Sequence, residues 1–166
     1  MHKIVSFLFL LTVALSLPAF AKDLKLPNED FAIATISVPN SWKPEAIDKG
    51  YEAQSPDSAI YLSVVAVGSE KGMNAEIEDT FKFLKEHKVK LNEDSKKEQK
   101  FTINGFEAQE LVFDGKDEDG PATISLAFVT VKNKVLVFTY WASKEDEEKH
   151  TKEISKILNS LKAVSE

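Results

Sequence analysis

The sequence predicts one α+β domain, with a largely antiparallel sheet of about six strands and two long helices. Three observations carry that expectation. First, residues 122–142 form two runs of Val, Ile, Thr, Phe, Tyr and Trp around Lys132-Asn133-Lys134. Such residues fit a pleated surface, and Asn133 suits the left-handed backbone of a tight turn. In the second run, Leu136, Phe138 and Tyr140 alternate with Val135, Val137, Thr139 and Trp141. Both faces are therefore apolar, as in a central strand covered on two sides. Second, Asn104-Gly105 separates two further strand-like runs and is the strongest short hairpin signal in the chain. Third, apolar residues recur at helical spacing over about 74–90 and 143–162.

Taken in order, the chain opens with Met1-His2-Lys3, an uncharged run over 4–17, and Pro18-Ala19-Phe20-Ala21. A basic start, an apolar stretch and an Ala-x-Ala ending read as a signal peptide over 1–21, cleaved after Ala21. The apolar run is near the short limit for spanning a bilayer, roughly 17 residues, so a retained anchor is the lesser reading. The chain has no cysteine, which excludes both a lipid-attachment cysteine and a disulfide. A periplasmic or secreted protein with no stable membrane anchor after cleavage is expected, its stability resting on an ordinary core.

Residues 22–30 read as a loose polar leader. The first strand is expected over 31–38, with Phe31 and Ile33 on one side and Ile36 and Val38 on the other. Pro39-Asn40-Ser41 ends it, Trp42 follows, and 43–49 read as a turn or short helical piece. A hairpin over 50–67 turns at Pro56-Asp57 and places Tyr51, Ala53, Ile60 and Leu62 on one face. Asn74 can cap a helix running to about Lys90, with Ile77, Phe81 and Leu84 along its apolar stripe. Residues 91–97 read as a charged linker. The Asn104-Gly105 hairpin then puts Phe101, Ile103, Phe106, Ala108 and Val112 on one face, with Glu110 among them. That predicts a bulge at Glu110 or a place near an exposed edge, with a functional buried acid as the sharper alternative. Residues 114–120 form an acidic loop. Ser143 reads as the cap of the last helix, whose first turn is acidic and whose stripe is Ile154, Ile157, Leu158 and Leu161. The domain is expected to span 31–162, leaving 163–166 as a tail.

Charge and motifs narrow the function classes. The net charge is −6 and the chain contains no Arg. Removing 1–21 takes away Lys3 and no acid, so the remainder is still more acidic. Net acidity without the bidentate Arg fork argues against nucleic-acid or phosphate recognition. Within the acidic loop, Asp117 and Asp119 fit two ligand positions of an EF-hand when Gly120 is taken as the sixth. Gly115 and Leu126 then stand where the first and last ligands belong, and strands flank the loop. No cofactor is expected, except that weak calcium binding at Asp117 and Asp119 stays open. His87 and His150 lie on charged helices, where surface positions are the plain reading, with no second ligand at metal spacing. There is no Gly-x-Ser-x-Gly elbow and no glycine-rich phosphate loop. Trp42, Tyr51, Tyr61 and Trp141 are candidates for a ligand or partner surface, against the plainer reading that they pack in the core.

The order of these elements, with a few short motifs, resembles a known family. An early strand runs into Val38-Pro39-Asn40-Ser41-Trp42, a hairpin follows at 51–67, and the next helix contains Phe81. A late strand with Val137-Phe138-Thr139-Tyr140 leads through Ala142-Ser143 into a helix finishing in Ile157-Leu158-Asn159-Ser160-Leu161. This pattern is similar to the PsbP-like superfamily, which includes Ran-release factors and DcrB-like bacterial periplasmic proteins. The resemblance implies an α/β/α sandwich, an antiparallel sheet with helices on both faces. It also implies accessory and binding roles, with no catalytic residue to carry over. The expected protein is an exported, non-catalytic binding or accessory protein of the bacterial envelope. Its partner would be an envelope protein or a small ligand, with a homodimer through an uncovered sheet face as a further expectation. The rivals are a small exported hydrolase with a site assembled from distant residues, and a calcium-dependent module using the 114–120 loop.

Overall fold

In the computed structural model, residues 21–68 and 70–165 are described. The signal peptide read at 1–21 lies outside them, apart from Ala21. The strands are β1 Ala21–Leu26, β2 Ala34–Pro39, β3 Glu45–Ile47, β4 Gly50–Gln54 and β5 Ile60–Val67, then β6 Lys90–Ile103, β7 Phe106–Lys116, β8 Pro121–Val131, β9 Lys134–Ser143 and β10 Lys162–Ala163. The helices are α1 Glu70–Glu86 and α2 Glu147–Asn159, and one 3-10 turn covers Asn40–Trp42. The strands form two antiparallel sheets, one of seven in the order β3-β4-β5-β9-β8-β7-β6 and one of three in the order β1-β2-β10.

The α+β class holds, with strands far outnumbering helices. As predicted, β9 is central and covered on both sides. On one face α1 packs Leu84 against Phe113, Ile124 and Leu126, and Met73 against Val65, Val67 and Val137. The other face is shared: Ile157 and Leu161, in α2 and just beyond it, join Leu24, Leu26, Ile36 and Trp42 over Leu62, Val64, Leu136 and Phe138. The arrangement therefore differs from a plain α/β/α sandwich. Seven strands at about 4.8 Å spacing make a face roughly 30 Å wide, and one helix covers only about 10 Å of it. The three-stranded sheet supplies the missing cover.

Several local readings are corrected. The supposed leader is β1, which pairs along β2 from Ala21↔Pro39 to Leu26↔Ala34 and buries Leu24 and Leu26. Phe31 lies outside any strand and is 75% exposed. The stretch read as a charged linker belongs to β6, an edge strand paired only with β7. Helix α1 begins before Asn74 and ends at Glu86, and Phe81 is partly exposed. Ser143 closes β9 opposite Ala122 instead of capping α2. The supposed tail begins inside β10, which adds to β2.

The Asn104-Gly105 hairpin is as expected: Ile103 faces Phe106, with φ of 46° and 88° at the two turn residues. At the other tight turn the left-handed residue is Lys132, at φ 55°, and not Asn133. Pairing runs unbroken through Glu110, between Gln99 and Ala127, so there is no bulge there and no edge position; the register shift lies between Asn92 and Lys97.

Candidate functional site

Three segments meet at one end of the seven-stranded sheet: the β4–β5 loop, the β7–β8 loop, and the passage from β9 into α2. Their meeting follows from strand pairing. Tyr61 at the start of β5 lies directly opposite Trp141 near the end of β9, with ring centroids 6.4 Å apart. The α1 residue Phe83 packs 5.0 Å from Tyr61, and His87 lies 6.2 Å from Trp141.

Asp117 fixes the acidic loop against these rings. One carboxylate oxygen accepts the backbone N–H groups of Asp119 at 2.9 Å and Gly120 at 3.0 Å. The other accepts the indole N–H of Trp141 at 2.9 Å. The residue read as a calcium ligand thus holds three donors from its own chain, which tie the loop to β9. Among the described residues no group of three or more His, Asp or Glu is placed to hold a metal ion.

The result is an open pocket of about 300 Å³ lined by Tyr61 and Trp141 and by four acids, Asp57, Asp117, Asp119 and Asp146. A second pocket, of about 290 Å³, shares Gln54, Ser58 and Tyr61 with the first and reaches Lys43, Glu45 and Glu52. The Tyr61 hydroxyl donates to Glu52 at 2.8 Å. Burial, with the hydrogen bond and charge of Glu52, raises its phenol pKa, so it stays a protonated donor. Together the pockets form a groove across the β4–β5 loop, acidic with aromatic walls.

Sequence reasoning grouped Trp42 and Tyr51 with Tyr61 and Trp141, but the fold separates them. Tyr51 pairs with Val64, and its ring enters the core on the α2 side of the sheet. Trp42 is fully buried in the same core, touching the groove only from beneath. Tyr61 and Trp141 occupy the opposite sheet face, and they alone of the four meet Asp117 and Asp119.

One constellation had no signal in the sequence. Asp57 accepts the Ser55 hydroxyl at 2.6 Å with one oxygen and the His150 Nε2–H at 2.9 Å with the other. His150 is also bound by Glu153 and lies edge-on to Trp42, its side chain 13% exposed, so it is not an ordinary surface histidine. Ser, Asp and His are here in the wrong order for nucleophilic catalysis. The carboxylate sits between serine and histidine, so no imidazole reaches the hydroxyl. Ser55 is itself buried and accepts the Ile60 N–H at 3.0 Å. The trio ties the β4–β5 loop to α2.

The trio also makes stability depend on pH. Burial by itself would lower the His150 pKa, but the hydrogen bonds and charges of Asp57 and Glu153 outweigh it and raise the pKa. For Asp57 the Ser55 and His150 hydrogen bonds hold the carboxyl well below its usual range. The His150 contribution to stability is then complete below its unfolded pKa, near 6.5, and is lost as pH rises through the higher folded value. The Asp57 contribution is present above about pH 4 and is lost as pH falls through its depressed folded value. Urea unfolding of His150→Gln is expected to show a flatter stability profile than the native protein between about pH 6 and 8. Parallel profiles would mean the imidazole does not gain its proton through this contact.

No protein-family model matches the sequence, and no curated protein matches it. Solved structures do match the fold. The solution structure of cyanobacterial PsbP from Synechocystis has a TM-score of 0.55 at 11% identity, covering 88% of this chain and 94% of that one. The Ran-binding protein Mog1p of Saccharomyces cerevisiae has a TM-score of 0.50 at 11% identity, covering 89% of this chain and 97% of that one. A protein of Bacteroides thetaiotaomicron matches at a TM-score of 0.54 and 14% identity; 80% of this chain is covered, but only 46% of that protein. At these identities the likenesses speak for the fold alone: the chain carries the PsbP-like fold shared by cyanobacterial PsbP and Mog1p.

Proposed function

We propose that this chain is an exported, non-catalytic binding protein of the bacterial envelope, and that the acidic aromatic groove receives a basic segment of a partner protein. The observation that carries the reading is the convergence of Tyr61 and Trp141 with Asp57, Asp117, Asp119 and Asp146 on one open pocket. Aromatic faces attract Lys and Arg through their quadrupole, and neighbouring carboxylates add direct charge attraction. The net charge of −6 gives the same preference at long range. The basic start, apolar run and Ala-x-Ala ending of residues 1–21 support export. One fold neighbour, Mog1p, is named a Ran-binding protein, so the fold is one on which a protein-binding surface can be built.

The test is affinity capture by the mature chain, residues 22–166, from an envelope extract, compared with Asp119→Lys and Tyr61→Ala. Asp119 is exposed and its side chain accepts none of the loop's N–H groups, so charge reversal there leaves the fold intact. A captured partner should be held roughly tenfold more weakly by Asp119→Lys and by Tyr61→Ala, and its release should follow rising salt. Equal capture by all three proteins would remove the groove from the interaction. Saturable turnover on a hydrolase substrate panel, lost on Ser55→Ala, would replace the reading with the enzyme alternative.

A further inference from the structure

A second cavity lies on the other face of the large sheet, where α2 leaves β7 and β8 incompletely covered. It measures about 230 Å³. Its walls are apolar, with Leu62, Phe101 and Phe138 from the sheet and Ile154 and Leu158 from α2. Two acids share it, Glu110 from the middle of β7 and Glu147 from the first turn of α2. Glu110 accepts the Ser125 hydroxyl and the Gln99 amide. Glu147 accepts the Thr123 hydroxyl at 3.0 Å and the Tyr140 hydroxyl at 3.2 Å.

All four donors are neutral. Among the described residues no Lys or His bonds either carboxylate, and no Lys lines the cavity. Burial raises the Tyr140 pKa, and the charges of Glu147 and Glu110 add to that rise, so the phenol is held as a protonated donor. The start of a helix explains the Glu147 position, since its partial positive charge favours an acid. It does not explain Glu110, which stands in a row of face-sharing neighbours, Ala127, Phe138 and Val64, where an apolar residue would pack at no electrostatic cost. Two half-buried carboxylates at an apolar space, without a resident cation, define the complement. A carboxylate ligand would be repelled. A purely neutral one would gain only the apolar contact and no charge pairing.

We propose that this cavity binds a small molecule with an apolar body and a protonated amine, its ammonium held by Glu110 and Glu147. The volume of about 230 Å³ is just below the usual range of drug-sized sites, roughly 300–1,000 Å³, and suits a small body of roughly six to ten carbon atoms. The inference is independent of the groove, which opens at the end of the sheet.

The test uses the mature chain and three probes of one length: n-hexylamine at pH 7, 1-hexanol and hexanoate. Binding is followed by NMR shifts of the Leu62, Ile154 and Leu158 methyl groups. Hexylamine is expected to give saturable shifts confined to the cavity. Hexanol should bind about tenfold more weakly and hexanoate not measurably. Glu110→Gln should weaken hexylamine about tenfold and leave hexanol unchanged. Equal affinities of amine and alcohol, no saturable shift up to about 10 mM amine, or shifts centred on Tyr61 and Trp141 would each overturn the proposal. If Glu110→Gln does not fold, the amine-to-alcohol ratio of the native chain still decides, and Glu147→Gln supplies the second variant.

Discussion

Trp42→Ala is expected to lower folding stability by about 3–5 kcal/mol, among the largest losses from any single truncation in this chain. The indole is fully buried where the small sheet, α2 and the large sheet meet, beside Leu24, Ile36 and Tyr51. Removing it opens a cavity that three elements would have to collapse together, and it strips His150 of its edge contact. For a domain of this size the melting temperature should fall by on the order of 10 °C. Trp42→Phe separates the causes. The indole N–H has no hydrogen-bond partner in the core. Phe therefore removes an unsatisfied donor while keeping most of the ring volume, and should cost under about 2 kcal/mol. Urea midpoints for the three proteins measure both steps. A Phe variant as unstable as the Ala variant would show that the N–H is satisfied after all.

Gly50→Ala is expected to be of comparable severity, by a different mechanism. A Cβ at this position would lie 1.9 Å from the carbonyl oxygen of Val64 and 2.9 Å from its carbonyl carbon. Both are backbone atoms of the adjoining strand, so no rotamer change relieves the clash. Strand β4 must move off β5, and it carries β3 with it, because Gly50 pairs with Ile47 on one side and Val65 on the other. The cost should be on the order of 3 kcal/mol or more. Amide exchange should quicken through 50–54 before it does in β8 and β9. A melting point within about 2 °C of native would mean that β4 yields without loss, against the geometry of this sheet.

What the sequence discloses depends on how local the determining contacts are. The β8–β9 hairpin was readable because its partners are adjacent and both its faces are buried, and Asn104-Gly105 because a two-residue turn needs positive φ at both positions. β6 was hidden for the converse reason. It pairs on one side only, and of its residues just Ile103 is buried, so its charges imitate a linker. β1 offers only Leu24 and Leu26 to mark a strand, and Ser143 has a capping residue's chemistry while its backbone pairs with Ala122.

At the site, alternation already held part of the answer. Tyr61 and Trp141 point away from Tyr51 once the hairpin register is fixed, so the four aromatics could not all share one surface. Glu110 was placed on the apolar face by the same rule, and the structure keeps it there; the bulge that would have excused it lies farther along β6. The Asp57–His150 contact joins residues 93 apart, and no periodicity announces it.

β6 has a consequence of another kind. It is a 14-residue strand at the end of the sheet, and its outer side offers backbone N–H and C=O groups to any passing strand. Such a border can seed polymers, chain adding to chain. Here Lys96, Lys97 and Lys100 stand along it among Glu93, Asp94 and Glu98, and the register shift between Asn92 and Lys97 breaks its regular spacing. An identical strand approaching it in parallel register would meet like charge at each of these positions, and in either direction it would meet mismatched donors at the shift. The residues that make β6 look like no strand at all are the ones that keep it from recruiting another, so this long border can stay open to water without becoming a template for fibrils.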